Sequence, residues 1–130
     1  MNTNTSQVLL VDNEPKILEL VQRILKNLPI EITTAKTGEE GLNILQGSKV
    51  FSLTISNFYL GMGMNGGDFL KLVKEHSPKT IRILMTAGIN QDSLLERQEK
   101  GEYDWFATKP IIFQNFIDQV ERSIYEYWEK

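Results

Sequence analysis

The side chains in this sequence with the most chemistry to offer are scattered: Asp12, Asn13 and Glu14 stand in one run, and Asn57, Thr86 and Lys109 stand alone. A carboxylate can hold a hard cation such as Mg2+ and accepts hydrogen bonds; a hydroxyl donates and accepts; an ammonium only donates. An asparagine amide differs, because its oxygen is neutral and delocalised and its NH2 only donates, so Asn57 is no nucleophile. As a set these residues suit ion holding and charge balance. Gly61, Gly63, Gly66 and Gly67 lack the G-x-x-x-x-G-K-[ST] order of a nucleotide loop, and no H-E-x-x-H or C-x-x-C pattern occurs. His76, in Lys74-Glu75-His76-Ser77-Pro78, falls at a helix end where a positive imidazole complements the helix dipole, which is a solvated surface role.

Residues so far apart meet only if regular elements carry them together. Short Val-, Ile- and Leu-rich runs alternate with longer segments of helical period, the pattern of βα units around a parallel sheet, and five such units can be read. The first run, Val8-Leu9-Leu10-Val11, is continuously apolar, as a strand buried on both faces must be, and stops at Asp12-Asn13-Glu14-Pro15. Pro15 opens a helix, where its missing N–H has no intrahelical partner to lose, and Asn13 or Glu14 can cap it. Ile17, Val21, Ile24 and Leu28 follow at helical spacing. A second strand spans 31–35, and Thr37-Gly38-Glu39-Glu40 has the form of a capping box for a helix with Leu42 and Leu45 on its apolar side, ended by Gly47-Ser48. The third strand covers 52–56. After it come the permissive glycines, then a helix bearing Phe69, Leu70 and Val73 that closes at Ser77-Pro78.

The fourth strand spans 81–85 and runs into Thr86-Ala87-Gly88; the polar helix after it has Leu94 and Leu95 as its main apolar residues and reads as weakly anchored. The fifth strand, 105–107, leads to Thr108-Lys109-Pro110. In the last helix Phe113, Phe116, Ile117, Val120, Ile124 and Tyr127 recur at three- and four-residue steps as a core face, with Asp118, Glu121, Arg122 and Glu126 opposite. Tyr125 and Trp128 lie beside that stripe. In open α/β sheets ligands gather outside the carboxyl ends of the strands, so Asp12 to Glu14, Asn57, Thr86 and Lys109 should converge there.

Val-Asp-Asn-Glu-Pro at 11–15, Asn57, Thr86-Ala87 and Lys109-Pro110, in that order, resemble the signature of response-regulator receiver domains. The resemblance implies a flavodoxin-like (βα)5 α/β fold: a doubly wound, five-stranded parallel sheet of order 2-1-3-4-5 with helices on both faces. It also implies two acids after strand one that hold Mg2+, an accepting Asp after strand three, a switch Thr or Ser after strand four, and a lysine that balances the phosphoryl charge. Asp12 matches the first acid, Thr86 the switch hydroxyl, Phe106 the switch aromatic three positions before the lysine, and Lys109-Pro110 the cationic pair, whose peptide bond the family usually makes cis. Asn13 replaces the second acid and Asn57 the phosphoacceptor.

Those departures imply that residue 57 is not phosphorylated and that Mg2+ is weak if bound, with Asp12 its one assured carboxylate and Glu14 better suited to a helix-end role. No other cofactor is expected. Amides at 13 and 57 also remove carboxylate repulsion, which implies ordinary stability without metal and a Lys109 free to pair with Asp12 and donate to the Asn57 oxygen. The loop Leu60-Gly61-Met62-Gly63-Met64-Asn65-Gly66 carries one residue more than the family pattern and has Gly61 in place of its proline, which implies a more mobile loop and a further loss for metal.

The chain of 130 residues, 41% hydrophobic, is enough for one core, organised as a polar disordered tail over 1–7 and a receiver domain over 8–130. A net charge of -3 gives no attraction to nucleic acid or acidic membranes, and no cysteine is present, consistent with a reducing, cytoplasmic setting. The longest apolar runs fall far short of the roughly 20 residues of a membrane-spanning helix. Three readings result. The chain is a non-enzymatic pseudo-receiver that signals by protein-protein interaction with a sensor kinase, phosphotransfer protein or output domain, through the face of helix four, strand five and helix five. Alternatively it is a phosphorelay receiver captured as an Asp-to-Asn variant at 57, or an unrelated flavodoxin-like enzyme or flavin carrier.

Overall fold

A computed structural model describes residues 5–129. Strands and helices alternate without exception: β1 Ser6–Val11, α1 Pro15–Ile24, β2 Ile30–Ala35, α2 Gly38–Leu45, β3 Leu53–Asn57, α3 Gly66–His76, β4 Ile81–Thr86, α4 Gln91–Glu99, β5 Trp105–Thr108 and α5 Phe113–Glu129. All strand pairs are parallel, and the sheet order is β2-β1-β3-β4-β5. The expected flavodoxin-like α/β architecture is therefore the one formed.

Alternation along each strand feeds two cores. Val8 and Leu10 of β1, Leu53 and Ile55 of β3, and Ile83 and Met85 of β4 pack with Leu18 and Val21 of α1 and Phe116 and Val120 of α5. Leu9, Val11 and Leu84 point the other way, against Phe69, Leu70 and Val73 of α3 and Leu94 of α4. Strands covered on both faces have no position left for a solvated side chain, and every residue of β3 and β4 is buried.

Boundaries move where tertiary partners outweigh local pattern. β1 begins at Ser6, so Ser6 and Gln7 belong to the strand and not to the tail expected over 1–7; Ser6 pairs with Ile30, and its N–H donates to the Pro29 carbonyl at 3.1 Å. The rest of that expected tail, apart from Thr5, lies outside the described residues. Phe113, placed on the core face of the last helix by its spacing, is 53% exposed: as the first residue of α5 it lines the mouth of an open cleft with Ile17 and Leu20 of α1. The capping box of α2 forms with a shift: Thr37 Oγ1 accepts from the Glu40 N–H at 3.0 Å, but the Glu40 carboxylate takes the N–H of Lys36 at 2.8 Å.

α4 buries Leu94 while Leu95 stays 45% exposed, in keeping with its polar sequence. Two polar bonds supply anchorage that the apolar pattern does not show: the Tyr103 hydroxyl donates to the Leu94 carbonyl at 2.7 Å, and the Gln98 amide donates to the Asp104 carbonyl at 2.6 Å. Beneath them lies Arg82 of β4, only 4% exposed. Its Nη1 donates to the carbonyls of Gly101 at 3.0 Å and Glu102 at 2.7 Å, and its Nε lies 3.5 Å from the Asp104 carboxylate. One guanidinium thus pins the α4–β5 connection to β4. Arg82→Ala should lower stability by about 2–4 kcal/mol by stranding those carbonyls and Asp104, measured by urea denaturation; a loss below about 1 kcal/mol would show that water replaces the guanidinium.

Candidate functional site

β1, β3, β4 and β5 end side by side, and the residues at those ends are the ones the sequence singled out. Asp12 follows β1 with no solvent exposure, its N–H donating to the Ala35 carbonyl of β2 at 3.1 Å. Its Oδ1 accepts from the Glu14 N–H at 2.9 Å, which turns the chain into α1 with Pro15 in the helix's first turn. Asp12 thus performs the helix-end role expected of Asn13 or Glu14; Glu14 is the N-cap residue by backbone geometry, but its side chain makes no capping bond. Both Asn13 and Glu14 are exposed at the rim.

Asp12 Oδ2 is buried without a hydrogen-bond partner, and the nearest cation is the Lys109 ammonium at 3.8 Å. Lys109 directly follows β5, its N–H bonded to the Thr86 carbonyl at 2.8 Å, and the Lys109–Pro110 peptide is cis. Burial pushes the Asp12 carboxyl above its ordinary 3.8, against the pull of the Glu14 N–H and Lys109, while the Glu14 charge adds to the rise.

Asn57 ends β3 at 6% exposure. Its Nδ2 donates to the Tyr59 carbonyl at 2.6 Å, so the amide is engaged with its own loop, and the expected bond from Lys109 to the Asn57 oxygen is not formed. The surrounding backbone is tight. Phe58 N–H donates to the Met85 carbonyl at 2.9 Å, and Gly66 N–H donates to the Phe58 carbonyl at 2.7 Å; any Cβ at Gly66 would collide with the Asn57 carbonyl. Gly61 and Gly63 hold left-handed φ values of 79° and 93° in this loop, which a proline at 61 could not do.

Thr86 closes β4 at 1% exposure, its hydroxyl reaching only the Ala87 carbonyl at 3.5 Å. The Phe106 ring packs on the α4 side of the sheet, edge-on to Tyr103 with centroids 6.3 Å apart. Phe58, next to Asn57, carries the Arg97 guanidinium of α4 5.7 Å from its ring centroid, a physical link from the site to α4. Sequence reasoning missed this link, the Tyr59 carbonyl and Arg82; the only available signal was a charged residue inside an apolar strand.

A divalent cation here would find one buried carboxylate, whose free oxygen already faces an ammonium. Among the described residues no group of three His, Cys, Asp or Glu comes together to hold a metal. Mg2+ takes oxygen ligands in octahedral array, and Asp12 is the buried carboxylate that this site offers it.

A family model described as the response regulator receiver domain matches residues 8–121. The chain belongs to the response-regulator receiver family. Among curated relatives of this receiver, the DNA-binding transcriptional regulator NtrC of Escherichia coli K12 is 30% identical over 95% of the chain and 26% of its own length. The transcriptional regulatory protein GlrR of the same organism is 28% identical over 95% of the chain and 28% of its length. The receiver thus spans about a quarter of the curated relatives it matches. Of solved structures, the signal receiver domain of an HD domain-containing protein from Pseudomonas fluorescens Pf-5 superposes with a TM-score of 0.86 at 25% identity, over 99% of this chain and 93% of that one. A CheY-like receiver domain protein from Methanospirillum hungatei gives a TM-score of 0.86 at 21% identity, over 97% and 98%. The flavin-carrier alternative gives way to a signalling receiver. No described helix is long and apolar enough to cross a membrane.

The raised Asp12 carboxyl makes a pH prediction. The folded chain holds this proton more tightly than the unfolded chain, so the stability the group contributes is fully present below the ordinary value of 3.8 and falls as pH rises through the higher folded value. Asp12→Asn should therefore gain on the parent chain as pH rises through that window, by about 1.4 kcal/mol per unit of elevation, in urea melts at a series of pH values. A stability difference that does not change with pH would contradict the assignment.

Proposed function

We propose that this receiver signals by protein contact without phosphorylation at position 57. The observation that carries the reading is the Asn57 amide: neutral, 6% exposed and bonded to the Tyr59 carbonyl, it offers no charged oxygen for attack on phosphorus. Asp12 and Lys109 neutralise one another beside it, and Asn13 and Glu14 turn to solvent, so Mg2+ binds weakly if at all. In this reading Thr86 and Phe106 keep the switch positions and Lys109-Pro110 the cationic corner, but none of them answers a phosphoryl group.

The domain is then a binding module and not an enzyme, working in the cytoplasm with a sensor kinase, a phosphotransfer protein or an output domain. The face built from α4, β5 and α5 is the proposed contact. Leu95 at 45% and Ile112, beside β5, at 65% exposure give it apolar side chains available to a partner, and the Phe58–Arg97 link ties it to the Asn57 loop.

Incubation with Mg2+ and acetyl phosphate, followed by intact mass spectrometry, tests this directly. The parent chain should gain no phosphoryl mass, and uptake by Asn57→Asp alone would identify the amide as the block in an otherwise competent pocket. A phosphoryl adduct on the parent chain would overturn the reading.

A further inference from the structure

The far end of α5 builds a second site, away from the Asp12 pocket. Glu121, Tyr125 and Trp128 fall four and three residues apart on one stripe and face Leu28 and Pro29 across a cleft of ≈ 450 Å3 that opens at Ser6, the amino end of β1. Tyr125 is 67% and Trp128 51% exposed, costly surface for a domain to leave in water. Trp128 is nevertheless fixed: its indole N–H donates to the hydroxyl of the buried Ser6 at 2.9 Å, and its ring stands edge-on to Tyr127 at 5.1 Å. An exposed aromatic already held in one orientation loses little entropy when a ligand stacks on it.

The charge of the cleft has one sign. Glu121 makes no ion pair among the described residues. Arg122, the one basic residue within α5, lines a different cleft with Trp105 and Asp118. Lys26 is exposed on the α1 side but does not line the cleft.

We propose that this cleft takes an arginine side chain from a partner protein, its guanidinium stacked on Trp128 and Tyr125 and its charge met by Glu121. A guanidinium is planar, weakly hydrated and suited to aromatic faces, whereas an ammonium is a compact, strongly hydrated charge. An acidic or phosphorylated group would be repelled by Glu121, and a purely apolar side chain would leave that carboxylate partly desolvated and unpaired.

The test uses the full 130-residue chain, 15N-labelled, titrated with N-acetyl-arginine amide and with its neutral citrulline analogue. The Trp128 indole resonance should move and saturate with the arginine probe while that of Trp105 stays, and the citrulline analogue should move it little. Glu121→Gln, an exposed substitution that leaves the remaining resonances in place, should weaken binding about threefold. A stationary Trp128 signal, an equal response to citrulline, or an unchanged titration in Glu121→Gln would each overturn the proposal.

Discussion

A carboxylate with no exposure to water sits at the end of β1, an interior strand of the sheet, and the functional end of this domain is arranged around it. Asp12 cannot move outward, because β1 is flanked on both edges by β2 and β3 and covered on both faces. It is compensated locally by the Glu14 N–H and across the sheet by Lys109, delivered from β5. That lysine reaches the pocket because β5 pairs with β4 in the register that puts Thr108 beside Thr86. Strand order, register and the first helical turn thus all bear on a single ion pair.

The charge count at this point explains what the pocket is suited to do. Two carboxylates about 4 Å apart at an effective dielectric near 20 repel by about 4 kcal/mol, a load that a second and third acid would impose unless a metal relieved it. With amides at 13 and 57 that load is absent, and one negative and one positive group balance. Under the function proposed above, a pocket so balanced would have little differential affinity for a cation or a phosphoryl group, and a ligand without differential affinity shifts no equilibrium. Residue 57 remains mechanically connected all the same, through Phe58 and Arg97 to α4.

Much of this was legible in the residues. β1, β3 and β4 announce themselves because strands buried on both faces draw mostly apolar side chains, Arg82 of β4 apart, while Pro15 and the glycines after Asn57 mark turns by their backbone limits and Thr37 marks one by its cap. What stayed hidden depends on partners remote in sequence. Ser6 joins the sheet through Pro29 and Ile30, Arg82 is satisfied by carbonyls about 20 residues onward, and Trp128 finds Ser6 at the opposite end of the chain. Periodicity cannot register such bonds, since it reports which face of an element is apolar and not what that face meets. Similarly, Asn57 could be placed at the site by its position after a strand, but the choice of Tyr59 over Lys109 follows from the path of an unusual loop.

Thermal unfolding in EDTA and in millimolar Mg2+ is the most direct check on a pocket that balances its own charge. The account predicts melting temperatures equal to within about 1 °C, since a cation that does not bind the native state cannot stabilise it. A rise of about 4 °C or more with Mg2+ would mean that metal binds the folded domain appreciably, and that Lys109 does not suffice to balance Asp12.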